Sequence, residues 1–460
     1  MSTAAAPPYA GPVLDVLSLF HRLLPAAFVQ RVQHEAGLRQ NNRVYTPLVV
    51  LWLLIVQRLH GAVSMETAVL ELLRGLPASF WPRPCKRLQD RRRGKPLSCY
   101  SGAYNQARQA LPLSVVEQSC DRIFEQLTAQ LSGTVPVAGA RVFFFDGTTV
   151  RLAHSATLGA TYPPGSNQHG EAHWPLLRML VAHDLHTGLG MRPAWGPMHG
   201  DQAVSEQGLL EVAIDRLPER SIVAGDANFG VFSVVYTAVQ RDHSVLLRLT
   251  LSRAQRLAGG PVHDGIDRAV VWKPSREDRK SHPQLPADAC VSGRLIVRRV
   301  QPDEGAASFF LALFTTLPTE QNEVLRIHGL RWNVETDLRT LKSTLHLEQL
   351  NCTTPEMVAK EINVAMAACN LVRAVTCLAS VRSGIPPRGY SFTRVQRIIA
   401  AFTPLVANAP SQHKGQKHFD LMMYYVAQAK LPKRKRKRPA YPRVVWARGA
   451  KFPNRKVGAP

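Results

Sequence analysis

The stretch Arg141-Val142-Phe143-Phe144-Phe145-Asp146-Gly147-Thr148-Thr149 decides how the middle of this chain folds. Its apolar run, residues 142–145, is typical of a strand buried on both faces, and Gly147 favours a sharp exit. A second stretch, Ser221-Ile222-Val223-Ala224-Gly225-Asp226, has the same form. We therefore expect two buried strands, each ending at an aspartate whose carboxylate lies at the edge of a sheet.

Alternating and helical patterns extend outward from these two stretches. Expected strands lie at 176–183, 189–197, 221–224 and 244–249, and expected helices at 203–217, 232–240, 319–347 and 354–381. Short strands at 269–272, 294–300 and 308–315 form a β-rich insertion. This order of a hairpin, a third strand, a helix, a fourth strand and late helices resembles the α/β core of ribonuclease H-like proteins, a mixed sheet with flanking helices.

Residues before 141 have helical rather than strand periodicity. Apolar residues repeat with helical spacing at 13–20, 47–59, 65–76 and 115–131, and a further helix is expected at 103–111 with Arg108 exposed. Basic loops, Lys86-Arg87 and Arg91-Arg92-Arg93-Gly94-Lys95, lie between these helices. This pattern favours an all-α DNA-binding domain, and the alternative is an ordinary helical domain with a solvated basic loop.

The expected organisation therefore has five parts. They are a helical DNA-binding domain (1–135), the first part of the core (136–250), the β-rich insertion (251–315), the C-terminal helices of the core (316–400) and a basic tail (401–460). The last 30 residues contain Lys433-Arg434-Lys435-Arg436-Lys437-Arg438 and show no apolar periodicity, so we expect disorder there until a partner binds.

Composition points to a polyanionic partner. The chain has 460 residues, 45% of them hydrophobic, and a net charge of +24. Nucleic acid and an anionic membrane surface both fit that charge, but the longest apolar run, 48–56, is shorter than the roughly 20 residues of a spanning helix. No signal peptide is evident. We therefore expect nucleic acid as the partner and no membrane; the family resemblance described below implies double-stranded DNA and a cytoplasmic, nucleoid-associated bacterial protein.

The cysteines and histidines do not indicate a zinc site. The seven cysteines contain no Cys-x-x-Cys pair, and the clustered histidines lack paired helical spacing. Reduced core thiols are the expectation.

A third acidic residue, Glu335, lies in a helical pattern among basic residues. His328, Arg331, Glu335 and Lys342 would share a stripe about 60° wide on one straight helix. Such a face could present one carboxylate between cations that hold phosphates. The plainer interpretations are a solvated charged stripe for this helix, and turn or N-cap roles for the two aspartates.

Two aspartates after strands and a glutamate on a later helix can hold a pair of divalent metal ions against a phosphodiester. Two Mg²⁺ ions roughly 4 Å apart activate the attacking oxygen and stabilise the leaving oxygen, and hard oxygen ligands hold them. The sequence therefore predicts Asp146, Asp226 and Glu335 as catalytic metal ligands for two Mg²⁺, with Mn²⁺ as a substitute.

The pattern Arg331-x3-Glu335-x6-Lys342 resembles the Tyr-Arg-Glu-Lys signature of DDE transposases, in the insertion-sequence family whose founding member is numbered four. The segments 145–148 and 223–230 are similar to its first and second acid motifs, and 246–249 to the strand that follows. The similarity extends loosely from about Ser98 to about Arg382. It implies that Arg331, Lys342, Arg248 and His328 contact transposon-end DNA.

His328 and Trp272 are two further positions with an expected role in binding DNA. His328 stands where the family signature has tyrosine; a histidine ring could still donate to a phosphate, but its grip would depend on pH. The β-rich insertion is a family trait that supports cleavage through a hairpin with a flipped base, which makes Trp272 a candidate for stacking on that base. A tryptophan in the core is the alternative.

These expectations combine into a DNA transposase that binds terminal inverted repeats and catalyses cut-and-paste cleavage and strand transfer, as a homodimer on DNA. Two rivals remain open. One is a structure-specific nuclease on the same ribonuclease H-like core, and the other is a catalytically inert DNA-binding derivative.

Overall fold

The central strand of the protein, β1 (Val142–Leu152), begins with the apolar run quoted above. In the computed structural model, which describes residues 16–37, 43–81, 83–92, 94–131, 137, 139–168, 170–301 and 307–432, residues 142–145 are buried. The strand does not end at Phe145 as expected but continues through Asp146. Its two neighbours explain the difference: β4 (Leu176–Asp184) pairs with residues 143–151 of β1, whereas β6 (Ile222–Gly225) pairs only with residues 142–144. Asp146 therefore pairs with β4 on one side but lies beyond the end of the pairing with β6 on the other.

Nine strands of the described residues form one mixed sheet in the order β5-β4-β1-β6-β7-β10-β9-β8, with β11 paired to the far end of β1. β1, β6 and β7 are parallel, and the other pairings along this path are antiparallel. A separate two-stranded ribbon joins β2 and β3. The remaining strands are β2 (Ser166–Asn167), β3 (Gly170–Glu171), β5 (Ala194–Pro197), β7 (Ser244–Leu249), β8 (Asp267–Trp272), β9 (Val291–Val300), β10 (Phe309–Thr315) and β11 (Gln349–Leu350).

Residues 251–315, the expected β-rich insertion, continue the main sheet. They supply two short helices and the three strands β8, β9 and β10, and these strands extend the main sheet beyond β7. The pairing of Leu313 with Arg248 joins the two parts. The apolar runs of these strands are therefore buried in the common sheet.

Helices cover both faces of the sheet. One face packs against α13 and α14 through a cluster that includes Phe144, Ala224 and Leu246. The other face belongs to a larger cluster that continues into the N-terminal helices. The helices that follow β1 are α8 (Ala156–Thr161), α9 (Glu206–Ala213), α10 (Phe232–Gln240), α11 (Leu251–Ala258), α12 (Arg276–Ser281), α13 (Gln321–Gly329), α14 (Trp332–Arg339), α15 (Pro355–Ser383), α16 (Phe392–Ala407) and α17 (Gln412–Gln428).

The long helix predicted at 319–347 is broken. α13 ends at Gly329, α14 begins at Trp332, and residues Thr340–Thr344 form a π turn. Around Arg331 the backbone makes bonds between residues three apart, which tighten the chain. The single stripe predicted for His328, Arg331, Glu335 and Lys342 assumed a straight helix, so it does not hold across the whole segment.

Within the described residues, seven α-helices precede the sheet, and they share its hydrophobic core. Helices α3 and α7 pack directly on α15, and their apolar residues belong to the same hydrophobic cluster as the sheet. The helices are α1 (Val16–Leu23), α2 (Ala26–Glu35), α3 (Pro47–Leu59), α4 (Met65–Arg74), α5 (Lys86–Arg92), α6 (Gly102–Ala110) and α7 (Leu113–Gln130). The expected boundary near residue 135 therefore separates helices from strands without separating two cores.

Part of the expected basic loop is the helix α5. Within it, Arg91 donates hydrogen bonds to the carbonyl groups of Leu72 (3.4 Å) and Leu73 (2.6 Å), and so satisfies the C-terminal end of α4. Arg91 therefore has a structural role, and Arg93 lies outside the described residues.

The C-terminal boundary also changes. Helices α16 and α17 carry the folded part of the chain well past residue 401, where the tail was expected to begin. Leu431 still donates a backbone hydrogen bond to the carbonyl of Gly389 at 2.8 Å. The basic run 433–438, for which disorder was predicted, lies outside the described residues.

Helix α15 is long and apolar enough to cross a membrane by length and composition, but 89% of its most apolar window is buried inside the protein. This is the burial expected of a core helix. A charged residue near its middle faces other parts of the chain: Glu361 binds both Arg58 of α3 and Arg108 of α6, the latter at 2.7 Å. The Arg108 side chain is only 11% exposed, so the prediction that it contacts DNA is wrong.

Replacing Glu361 should therefore destabilise the whole fold. In Glu361→Ala, two nearly buried guanidinium groups would lose their carboxylate, which costs roughly 3–5 kcal/mol for a buried pair. The measurement is the urea midpoint of unfolding. The control is Glu35→Ala, which removes an exposed pair with Arg31 at 3.6 Å and should cost about 0–1 kcal/mol. Equal midpoints for the two variants would contradict the shared core.

Candidate active site

The strand register brings Asp146 and Asp226 to neighbouring positions. Phe144 of β1 pairs with Ala224 of β6, and both face the helices α13 and α14. Because alternate residues of a strand share a face, Asp146 and Asp226, two residues further along, point to that same face. Arg248 occupies the equivalent position on β7, two residues after Leu246, which pairs with Ala224.

The two aspartates are close enough to interact electrostatically. The pKa of Asp146 is raised to about 6, mainly by burial and also by the charge of Asp226. A hydrogen bond from the Gly147 N–H (2.9 Å) and the charge of Arg331 act in the opposite direction, and Glu206 adds to the rise. Crowded carboxylates of this kind are relieved by a bound cation, and their hard oxygens suit Mg²⁺.

The turn after Asp226 is held by several hydrogen bonds. The Asn228 N–H donates to Asp226 Oδ1 at 2.8 Å, and Arg253 donates to the carbonyl of Ala227 at 2.9 Å. Gly230 lies against the backbone carbonyl of Arg248, where any Cβ would overlap it. The glycine thus lets the loop after Asp226 pass close to the end of β7.

Glu335 lies on α14, which packs against β1. Its Oε1 binds Arg331 Nη2 at 2.8 Å, and both side chains are about one quarter exposed. Since Arg331 also lowers the pKa of Asp146, this arginine links the helix carboxylate to the strand carboxylates. Among the described residues, no group of three or more His, Cys, Asp or Glu side chains is gathered closely enough to hold a metal ion. The structure therefore brings Asp146 and Asp226 together and keeps Glu335 in an ion pair beside them.

A buried network that sequence reasoning missed fixes the position of α14. Asp337, almost fully buried, accepts hydrogen bonds from Arg373 at 2.7 Å and from Arg388 at 2.6 and 2.7 Å. Asp337 is two residues from Glu335, so the two carboxylates leave the helix in different directions. A second acid on an otherwise apolar helix face was the signal in the sequence for this anchor.

His328 is buried rather than presented to DNA. The residue is 8% exposed, and burial, with the charges of Arg331 and Arg248, lowers its pKa to about 4. Its Nε2 atom has no hydrogen-bond partner in the described part of the chain. In the free protein the ring is therefore neutral near pH 7, so the expected pH-dependent grip has no basis in this geometry.

Trp272 is also in the core, as the alternative interpretation held. It is 7% exposed and packs edge-on against Phe232 and Phe314, so the predicted stacking on a flipped base is wrong. Phe309 and Phe310 are the exposed aromatic residues of β10, at 43% and 36%, and the Arg248 guanidinium lies 5.8 Å from the ring centre of Phe309. Trp272 fills space under α10 that the strand pattern alone could not reveal.

Lys342 lies in the π turn after α14 and is partly exposed.

A separate cavity of about 1240 Å³ opens among the N-terminal helices, far in sequence from the acids. Its lining includes Arg43, Lys86, Arg87 and Lys95, together with Tyr100, which is 80% exposed. Cationic side chains with an exposed aromatic ring are the composition expected of a surface that binds nucleic acid.

Residues 138–371, just over half of the chain, match the family described as "Transposase DDE domain", and the chain belongs to that family. It is accordingly a transposase. Among solved structures, it is similar to one described as "Cryo-EM structure of piggyBac transposase synaptic complex with hairpin DNA (SNHP)", with a TM-score of 0.43 and 10% sequence identity. That similarity covers 89% of this chain and 85% of the other. No curated protein matches in sequence.

The burial of His328 changes what pH should do to DNA binding. With a pKa of about 4, the ring stays neutral from about pH 6 to about pH 8, as does the tyrosine of His328→Tyr. The two proteins should therefore show parallel curves of end-DNA affinity against pH, measured by fluorescence anisotropy. A wild-type curve that falls more steeply would mean that DNA binding exposes and protonates the ring.

The crowding of Asp146 should be visible as a pH-dependent stability. Its folded pKa of about 6 lies above the ordinary value of 3.8, so ionisation costs the folded state free energy above about pH 6 and nothing below about pH 4. Without metal, Asp146→Asn should melt about 1–3 °C higher than wild type at pH 8, for a gain of roughly 1–2 kcal/mol. This difference should vanish near pH 4. Melting curves in a chelating buffer test it, and a constant difference at all pH values would contradict it.

Proposed function

We propose that this transposase binds the terminal inverted repeats of an insertion sequence and catalyses metal-dependent cleavage and joining of DNA strands, in a cut-and-paste reaction. The observation that carries the proposal is the register that sets Asp146 beside Asp226 on the sheet face under α14. Phosphodiester chemistry needs carboxylates at such a position, and the net charge of +24 supplies attraction to DNA.

Two of the three proposed ligands, Asp146 and Asp226, already lie on neighbouring strands, and their carboxylate oxygens suit a divalent metal ion. Asp146 and Asp226 would hold the metal ions, and Glu335 would join them once Arg331 is engaged by a phosphate. Divalent ions, Mg²⁺ with Mn²⁺ as a substitute, supply activation of the attacking oxygen and stabilisation of the leaving oxygen. The attacking group is water in the nicking step and a DNA 3′-hydroxyl in the joining step.

The cations around the acids would position the substrate. Arg331 can exchange its carboxylate partner for a phosphate, because both groups accept two parallel hydrogen bonds from a guanidinium. Arg248 and Lys342 are partly exposed and could contact phosphates on either side of the attacked bond. In the geometry of the free protein, His328 would support Arg331 from the buried side and would not touch the DNA.

The basic cavity of the N-terminal helices is our candidate for binding the terminal repeats. Its cationic side chains, Arg43, Arg83, Lys86, Arg87 and Lys95, would provide affinity through phosphates, and Tyr100 would stack on a base. Because both ends of an element must meet before they are joined to a target, we further propose a homodimer on DNA.

The test is to replace the acids singly. Asp146→Ala, Asp226→Ala and Glu335→Ala should each reduce nicking of the element's own end in Mg²⁺ by at least about a thousandfold, because each removes a proposed metal ligand. End binding should stay within about threefold, because phosphate contacts dominate affinity. The matched control is Asp288→Ala, an exposed acid outside this site, which should nick normally.

The outcomes separate this function from its rivals. A wild-type protein that nicks but never joins a 3′ end to target DNA is a nuclease. One that binds ends without nicking them in Mg²⁺ or Mn²⁺ is an inert derivative. Any single Ala variant that keeps near-normal nicking removes that residue from the proposed site.

A further inference from the structure

Glu206, the first residue of α9, contacts both chain segments that carry the strand aspartates, although nothing in the sequence patterns singled it out. The helix begins there because Ser205 accepts the Gly208 N–H at 3.0 Å as an N-cap. The first helical position favours a carboxylate by the helix dipole alone, so a stabilising role is the plainer explanation. The contacts of this carboxylate go beyond that role.

One oxygen of Glu206 holds the turn that carries Asp226. Glu206 Oε2 accepts a hydrogen bond from Asn228 Nδ2 at 2.6 Å, and the Asn228 N–H donates to Asp226 Oδ1 at 2.8 Å. Gln207 adds two donations, to the carbonyl oxygen (2.8 Å) and to Oδ1 (2.9 Å) of Asn228. The start of α9 therefore fixes Asn228, and Asn228 fixes the Asp226 carboxylate.

The rest of the same carboxylate lies against the chain that carries Asp146. A Cβ built on Gly147 would overlap Glu206 Oε1 and its carboxyl carbon, so the side chain occupies the place that any other residue at 147 would need. Gly147 has ordinary strand backbone, so the requirement for glycine is this close approach and not an unusual conformation.

We propose that Glu206 is a positioning residue that sets the separation of Asp146 and Asp226, by filling the space over Gly147 and holding Asn228. The idea rests on the proposed function, since it concerns the same pair of carboxylates. Glu206 acts through its shape and its acceptor oxygen, so Glu206→Gln should substitute for it and Glu206→Ala should not. If Glu206 were itself a metal ligand, glutamine would be as harmful as alanine.

The first experiment measures metal binding directly. Titration of the full-length protein with MnCl2 in a calorimeter, without DNA, should show affinity reduced about tenfold in Glu206→Ala, the usual size for a residue that orients a ligand. Glu206→Gln should stay within about threefold of wild type. Nicking in Mg²⁺ should follow the same order. Wild-type metal affinity in Glu206→Ala, or equal losses in both variants, would overturn the proposal.

The second experiment is a double-mutant cycle that does not depend on catalysis. Gly147→Ala should lower the urea midpoint, because the new methyl group displaces the Glu206 carboxylate. In Gly147→Ala/Glu206→Ala the methyl has room, so the double variant should be no less stable than Gly147→Ala alone. Simple additivity of the two losses would show that the two residues do not interlock.

Failure of this proposal and failure of the proposed function give different results. If the proposed function is wrong, the wild type fails to nick or to join DNA ends, or Asp146→Ala and Asp226→Ala bind manganese and nick as the wild type does. If only the role of Glu206 is wrong, those two variants lose both properties while Glu206→Ala keeps them.

Discussion

The position of α14, the helix that carries Glu335, depends on one buried carboxylate. Asp337 takes three hydrogen bonds from Arg373 and Arg388, and burial, which alone would raise its pKa, is outweighed by nearby cationic groups with Arg388 foremost, so the pKa is lowered. A buried charge is tolerated only when partners satisfy it. Arg388 also donates to the carbonyl of Asp184 at 2.8 Å, and so ties the end of β4 to the same point. The helix that carries Glu335, the core helix α15 and the central hairpin are thereby fixed relative to one another.

This anchor gives the site a rigid half and an adjustable half. Asp146 and Asp226 lie on paired strands and are held by backbone register, which changes only if the sheet is disrupted. Glu335 is held by Arg331, whose guanidinium is partly exposed and could pair equally well with a phosphate. If Arg331 exchanged Glu335 for a phosphate, only this ion pair would have to change. A movement of α14 would be a larger change, and Asp337 holds that helix in place. A phosphate of the DNA substrate and the carboxylate of Glu335 would then compete for Arg331.

Much of this could be predicted from the sequence, and the failures have physical causes. The apolar runs of β1 and β6 and the helices α3, α10 and α15 follow local periodicity, and the family resemblance predicted the ribonuclease H-like arrangement of a mixed sheet with flanking helices. Trp272, Arg108 and His328 were each assigned to DNA from residue type, but tertiary partners bury them. Glu361 and Phe314, which bury two of them, are distant in sequence. Glu206 was invisible for the same reason, because its role depends on a glycine 59 positions earlier and an asparagine 22 positions later.

The joint packing of the N-terminal helices and the sheet on α15 has a consequence for how such elements can diversify. Proteins whose recognition and catalytic parts fold separately can exchange those parts by recombination. Here the exchange would cut through a single hydrophobic cluster and leave Glu361 without the two arginines that satisfy it. New specificity for DNA ends would have to arise by substitution at exposed positions, one residue at a time, within an inherited scaffold.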